Sequence, residues 1–167
     1  VVHANNEVYI IFLTTFSIGI AIGSLLCDTL LKGEISLHLT WKTAAGISLF
    51  TYLMVLTTPV AQGEQLLDAA GFLDVAQHWL VLGCMLMVAI SGGIYLVPFY
   101  AMLQHRTPSE YRSRIMAASS LSDAVLMTSA AVVSALLLSF GFGILDLFWL
   151  VATLNLFVVF YARKLST

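Results

Sequence analysis

The stretch that decides the fold, residues 79–104, reads WLVLGCMLMVAISGGIYLVPFYAMLQ. It contains no Asp, Glu, Lys or Arg, and it exceeds the roughly 20 apolar residues that a helix needs to cross a bilayer core about 30 Å thick. Its apolar residues do not recur at every second position, as they would in a lipid-facing barrel strand. Because backbone groups in lipid must pair within their own segment, the stretch predicts a membrane-spanning helix.

The composition of the whole chain agrees with that prediction. Of its 167 residues, 60% are apolar and 10% are charged, against roughly 45–50% and 25% in soluble domains. So few charges cannot supply the polar shell of a soluble enzyme. The net charge of −2 leaves no basic footprint for nucleic acid. The sequence therefore predicts an integral membrane protein, with membrane lipids as its surroundings.

Four further stretches are long and apolar enough to cross the membrane. The complete set of predicted spans is 8–27, 43–61, 79–104, 115–138 and 145–162. The predicted fold is therefore an all-α membrane protein with five transmembrane helices. An odd number of spans without a cytoplasmic leader suggests a piece of a longer chain.

The cations indicate an orientation. With five spans, all Lys and Arg residues fall on one side of the membrane: Lys32, Lys42, Arg106, Arg112, Arg114, Arg163 and Lys164. On the opposite side, all charged residues are acidic: Glu7, Glu64, Asp68, Asp74 and Asp146. Because loops rich in Lys and Arg stay in the cytoplasm, the N-terminus is predicted to lie outside and the C-terminus inside.

No pattern of residues points to enzyme chemistry or to a cofactor. The sequence contains no Ser-His-Asp arrangement, no HExxH and no phosphate-binding glycine loop. His38, His78 and His105 share no ligand spacing, so they are predicted to be solvated residues at span boundaries. We therefore expect neither catalytic residues nor a metal site nor a cofactor.

Small residues and one proline mark two spans. Thr15, Gly19, Gly23 and Cys27 recur every four residues in the first span, a pattern that lets another helix approach closely. Pro98 removes a backbone hydrogen bond in the third span and predicts a bend. The bend is either static or the place where a transporter gate moves.

Asp123 is the one charge well inside a predicted span. An unpaired carboxylate there costs about 2.5–3.5 kcal/mol on insertion scales, so it should face protein or water. It shares a small and polar side of its helix with Ser119, Ser122, Ala130 and Ser134. This side forms either the wall of a polar pathway or a simple tie between helices. For Asn155 a hydrogen bond between helices is the favoured interpretation.

Two runs of sequence resemble a known family. They are Gly92 to Gln104, GGIYLVPFYAMLQ, with the following Arg106-Thr107-Pro108 and 111–118, YRSRIMAA, and the earlier run 16–27, FSIGIAIGSLLC. Together they resemble the major facilitator superfamily, and more narrowly its lysophospholipid-transporter branch. In many bacteria that branch is fused to an acyltransferase and an acyl-acyl-carrier-protein synthetase.

The resemblance implies that the five spans correspond to helices eight to twelve of a twelve-helix transporter. The chain would then be a partial C-terminal six-helix bundle, without its N-terminal partner bundle. Spans one, three and four would face the substrate path, and spans two and five would face lipid. The resemblance thereby implies a set of path residues: Asp123, Ser119, Ser122, Tyr95 and Thr15.

The resemblance also implies roles on the cytoplasmic side. Asp28 would belong to the loop that contacts the partner bundle, although Thr29 replaces the basic residue usual in that motif. Arg112 and Arg114 either attract the phosphate of a lipid headgroup or only fix topology and bind anionic lipid. Asp123 stands where the branch usually has an asparagine, which would alter headgroup preference or add proton coupling.

The expected function is transport of lysophospholipid across the bacterial cytoplasmic membrane by alternating access. Two alternatives stay open. One is a drug or metabolite efflux facilitator, which Asp123 favours. The other is a membrane anchor for a fused acyltransferase that transports nothing itself.

Overall fold

The computed structural model describes residues 6–31, 40–58 and 69–165, without the side chains of Asp28, Leu31 and Leu165. The described part is all-helical, with no strand. Its helices are α1 Asn6–Leu31, α2 Thr40–Thr57, α3 Ala69–Leu73, α4 Ala76–Arg106, α5 Arg112–Ser139 and α6 Ile144–Leu165. Several residues of the predicted charge pattern, Lys32, Glu64 and Asp68, lie outside the described ranges, as does His38.

Four helices, α1, α4, α5 and α6, are long and apolar enough to cross a membrane. This confirms a helical protein of multi-pass type, but it does not confirm five spans. α2 is less apolar because it begins with Thr40, Trp41 and Lys42 and contains further threonines. Residues 59–61, which end the span predicted there, lie outside the described part of the chain.

α4 lies at the centre of the bundle, between α1 and α2, and α6 packs on the other side of α2. The predicted seam of small residues is confirmed where α1 meets α4. A Cβ atom added to Gly19 would lie 2.5 Å from Ala89 Cβ, and one added to Gly93 would lie 2.7 Å from the Ile20 carbonyl oxygen. A Cβ on Gly23 would overlap the Ile90 carbonyl. The two backbones are therefore closer than any larger residue permits.

The same interface accommodates the proline. α4 continues through Pro98, which is fully buried and has no N–H to donate to the Ile94 carbonyl four residues earlier. From α1, the Cys27 thiol donates to that carbonyl across 3.8 Å. Neighbouring helices commonly satisfy the carbonyl that a proline leaves open in a membrane helix.

Hydrogen bonds inside the bundle join α2 to α6. Asn155 Nδ2 donates to the Ala44 carbonyl at 2.9 Å and to Ser48 Oγ at 3.1 Å, and Ser48 Oγ donates to the Ala152 carbonyl at 3.3 Å. Tyr52 Oη lies 2.7 Å from Thr153 Oγ1 on the same side. The expectation that Asn155 forms a hydrogen bond between helices is confirmed.

We expect Asn155→Ala to lower the free energy of unfolding by about 0.6–1.7 kcal/mol, the range of such bonds in membrane proteins. Thermal unfolding of the purified protein, compared with Ser48→Ala and with the double variant, measures the effect. Because the two side chains share a hydrogen bond, the double variant should lose less than the two single variants added together. Strict additivity would show that the bond contributes nothing.

The short helix α3 covers one end of the α1–α4 pair. Its Phe72 is fully buried against Val8 and Leu82, and it stacks on the His78 ring with centroids 4.2 Å apart. His78 Nδ1 lies 2.7 Å from the Phe72 carbonyl oxygen. The prediction that His78 is solvated is therefore wrong, because α3 folds back over it; only 4% of the residue is exposed. His105 is exposed, as predicted.

α5 is the least embedded helix. None of its residues is buried, and its few contacts are mainly with α4. It ends in a Schellman motif, in which the Phe142 N–H donates to the Leu137 carbonyl and Gly141 adopts φ +93°. The chain then reverses into α6, where the Asp146 carboxylate accepts the Gly143 N–H at 2.8 Å.

The Lys and Arg residues that the structure describes lie together at one end of the bundle, and three acidic residues lie at the other end. Gln77 at the start of α4 contacts Thr57 at the end of α2, so α2 and α4 are antiparallel. Arg163 near the end of α6 lies over the ring of Trp41 at the start of α2, so α2 and α6 are antiparallel as well. We call the first of these ends the basic end. It holds every described Lys and Arg: Lys42, Arg106, Arg112, Arg114, Arg163 and Lys164. The opposite, acidic end holds Glu7, Asp74 and Asp146.

Candidate functional site

A groove of about 440 Å³ lies between α4 and α5 and extends to Arg106 and Thr107 at the basic end. We call it the α4–α5 groove. Its lining comes from one face of α4, from Thr107 directly after α4, and from two residues of α5: Tyr95, Leu96, Phe99, Tyr100, Met102, Leu103, Arg106, Thr107, Ser119 and Asp123. Its volume is that of a typical small-molecule site, and most of its wall is apolar or aromatic.

The α4 face forms because its residues recur at intervals of three and four. Tyr95 and Phe99 are four residues apart, as are Leu96 and Tyr100, and Leu103 continues the row. The rings of Tyr95 and Phe99 meet at a centroid distance of 5.1 Å and an angle of 51°. An aromatic wall therefore extends along about two turns of α4.

Asp123 faces this wall from α5. Its carboxylate oxygen Oδ2 accepts a hydrogen bond of 2.9 Å from the Tyr100 hydroxyl. Asp123 is half-buried, although the helix that carries it is otherwise largely exposed. The bond joins two helices that have few other contacts, and it places a carboxylate and a phenol at one point of the groove.

Arg106 provides the opposite charge at the end of α4. It follows Tyr100 by six residues, which is about 9 Å along a helix axis. The groove therefore has an acidic and aromatic part, formed by Asp123 and the rings, and a basic part at Arg106. A ligand in this groove would meet side chains of both charges.

A second groove of about 430 Å³ runs along the other side of α4, against α1. It is lined by Ile20, Ser24, Gly93, Leu96, Val97, Tyr100, Ala101 and Gln104. Leu96 and Tyr100 belong to both linings, so α4 separates two adjoining spaces. Ser24 directs its hydroxyl to the Ile20 carbonyl of its own helix, at 2.9 Å.

The structure brings together some of the predicted path residues. Tyr95, Ser119 and Asp123 share the α4–α5 groove. Ser122 does not line it and donates to the Ala118 carbonyl of its own helix at 2.9 Å. Thr15 lies on α1, outside both grooves.

The predicted cytoplasmic residues lie apart from one another. Pro98 is buried in α4, whereas Arg112 and Arg114 are exposed on the first turn of α5 and do not line the groove. Asp28 belongs to α1, and its side chain is outside the described part of the structure.

Seven of the ten lining residues were not among the predicted path residues, and three of these seven are aromatic or charged: Phe99, Tyr100 and Arg106. The spacing of Tyr95, Phe99 and Tyr100 on a predicted helix was the available signal for the first two. Arg106 gave no such signal, because its position after the span is equally explained by membrane topology.

Within the described ranges, no three His, Cys, Asp or Glu residues lie close enough to hold a metal ion. No protein-family model matches this chain, no curated protein matches it in sequence, and no solved structure matches its fold.

Proposed function

We propose that this chain is part of a secondary transporter of the major facilitator type, which moves lysophospholipid across the bacterial cytoplasmic membrane by alternating access. The observation that carries the proposal is the α4–α5 groove, where Asp123 and Arg106 flank an apolar and aromatic wall. A lysophospholipid combines a polar headgroup with a single acyl chain, and both parts have matching surfaces there.

The loose attachment of α5 supports movement in this region. α1, α2, α4 and α6 pack continuously, whereas α5 contacts α4 through few residues. A transport cycle requires helices that change partners, and elements that move come from the least embedded part of a structure. The partner bundle that the resemblance implies would complete the second wall of the path.

The proposal includes a membrane topology with five spans. α2 packs between α4 and α6 and, with 18 residues, reaches about 27 Å, close to the thickness of a bilayer core. We therefore include α2 as a fifth span. With the basic end in the cytoplasm, the N-terminus lies outside and the C-terminus inside.

Reconstitution of the full-length protein in vesicles tests the proposal. We expect labelled lysophospholipid to cross the membrane faster than in protein-free vesicles. Asp123→Asn should lower the rate by about tenfold or more, since hydrogen bonds to charged groups contribute about 1.5–3 kcal/mol.

Arginine variants compare the role of Arg106, which lines the groove, with that of Arg112, which does not. Arg106→Gln should lower the rate, and Arg112→Ala and Arg112→Gln show whether the exposed arginine takes part. Unchanged uptake by Asp123→Asn and by both Arg112 variants would remove those residues from the mechanism. A rate equal to that of protein-free vesicles would refute lysophospholipid transport.

Asp123 favours one second candidate, a proton-coupled efflux facilitator for drugs or metabolites. Intramembrane carboxylates are common proton carriers in transporters. Efflux of a compound panel that depends on a proton gradient, without movement of lysophospholipid, would select this candidate.

A further inference from the structure

We propose that the α4–α5 groove binds an ammonium group, which Asp123 and the rings of Phe99 and Tyr100 hold as the head of a single-chain amphiphile. The inference rests on the proposed function and deepens it by naming the headgroup chemistry that the site selects. It concerns the acidic and aromatic part of the groove, where Tyr100 precedes Arg106 by six residues on α4.

The groove combines one carboxylate with several aromatic rings. Tyr95, Phe99 and Tyr100 line the same groove as Asp123. Aromatic faces attract ammonium groups through the ring quadrupole, and cages of this kind recognise quaternary ammonium ligands. A carboxylate beside them adds a full opposite charge.

The carboxylate of Asp123 can accept more than the one hydrogen bond from Tyr100. An ionised carboxylate offers about four lone-pair positions, and the Tyr100 hydroxyl occupies one of them at 2.9 Å. Within a membrane-spanning helix pair, a bound cation supplies the opposite charge that this site otherwise needs. The same carboxylate repels a headgroup that carries only negative charge, which gives selectivity.

The groove also offers surfaces for the rest of an amphiphilic ligand. Leu96, Met102 and Leu103 provide apolar surface in the same groove, enough to contact part of an alkyl chain. Arg106 lies about 9 Å along the helix from Tyr100, within reach of a phosphate attached to the ammonium group. The ammonium source is therefore either a zwitterionic lysophospholipid or a simple alkylammonium, and Arg106 distinguishes them.

The test measures binding to the full-length protein in nanodiscs, with empty nanodiscs as background. The probes share a hexadecyl-length chain: hexadecyltrimethylammonium, hexadecyl sulfate, palmitoyl-lysophosphatidylcholine and palmitoyl-lysophosphatidylglycerol. We expect both trimethylammonium probes to bind at least about tenfold more tightly than their anionic counterparts, a difference expected of one charge-assisted contact.

Two pairs of variants identify the groups responsible. Asp123→Asn should abolish the preference, whereas Glu110→Gln removes a charge from the exposed turn before α5 and should preserve it. Phe99→Leu should weaken trimethylammonium binding about threefold, at the low end of cation–π contributions. Its control, Phe157→Leu, changes an exposed ring of α6 outside the groove.

Arg106→Gln separates the two ammonium sources. If the variant weakens the binding of lysophosphatidylcholine but not of hexadecyltrimethylammonium, the zwitterionic lipid is the better ligand. If the binding of both trimethylammonium probes is unchanged, the better ligand is the simple alkylammonium. Either result supports the proposal. If Asp123→Asn does not fold, Phe99→Leu and Phe157→Leu decide the question.

Equal binding of cationic and anionic probes would overturn the inference but leave lysophospholipid transport standing. A preference that survives in both Asp123→Asn and Phe99→Leu would also overturn it, because Asp123 would then only tie α4 to α5. Absence of binding by every probe would refute the inference and the proposed function together.

Discussion

Replacement of Gly23 or Gly93 by alanine should weaken the packing of α1 against α4 and lower the melting temperature of the protein. The added Cβ of Gly23→Ala would overlap the Ile90 carbonyl, and that of Gly93→Ala would lie 2.7 Å from the Ile20 carbonyl oxygen. Both obstacles are backbone atoms, which no rotamer change can move. Overpacking of this kind typically costs about 1–3 kcal/mol, and rigid contacts place these variants at the upper end.

Gly92 supplies the matched control, since it is the neighbour of Gly93 in the same helix. A Cβ on Gly92 meets nothing within 4 Å, and alanine favours a helix by up to about 1 kcal/mol over glycine. We therefore expect Gly92→Ala to unfold at or above the wild-type temperature, and Gly23→Ala and Gly93→Ala well below it. Fluorescence-detected gel filtration after heating measures all three. Equal melting of Gly92→Ala and Gly93→Ala would contradict the packing geometry.

The helical fold and the α1–α4 seam were predictable because each depends on a local pattern. Long uncharged runs can only be helices in lipid, and small residues four apart lie on one face. α2 marks the limit of this reasoning. Its threonines and Lys42 lower its hydropathy, and its place between α4 and α6 comes from packing that no single segment encodes.

The site was only partly predictable. Asp123 stood out as an isolated charge, and Ser119 lies four residues before it on the same helix face. Ser122 precedes Asp123 by one residue, which turns it about 100° away around the helix. The hydrogen bond between Tyr100 and Asp123 became visible only through the structure, because the two residues are on different helices. The burial of His78 likewise depends on α3 folding back over it.

The second large effect concerns Pro98. We expect Pro98→Ala to slow transport by the full-length protein about fivefold or more, while the protein remains folded. Alanine restores the N–H that donates to the Ile94 carbonyl, and a continuous helix is favoured by up to about 3 kcal/mol over one with an internal proline. A stiffer α4 should resist the bending that a moving gate requires.

Pro108→Ala is the matched control, because Pro108 lies in the exposed turn after α4. It should leave the transport rate unchanged. Wild-type rates in Pro98→Ala would show instead that the proline only shapes a static helix. Lysophospholipid flux into vesicles provides the measurement for both variants.

Cys27 makes it possible to decide how Pro98 acts. In the wild type its thiol donates to the Ile94 carbonyl across 3.8 Å, so Cys27→Ala should lower the thermal stability slightly. In Pro98→Ala that carbonyl gains the backbone N–H of the new alanine as a partner within its own helix, so the same Cys27 change should matter less. A double-mutant cycle on the melting temperature therefore detects the shared carbonyl. Identical effects of Cys27→Ala in the two backgrounds would show that the thiol does not compensate for the proline.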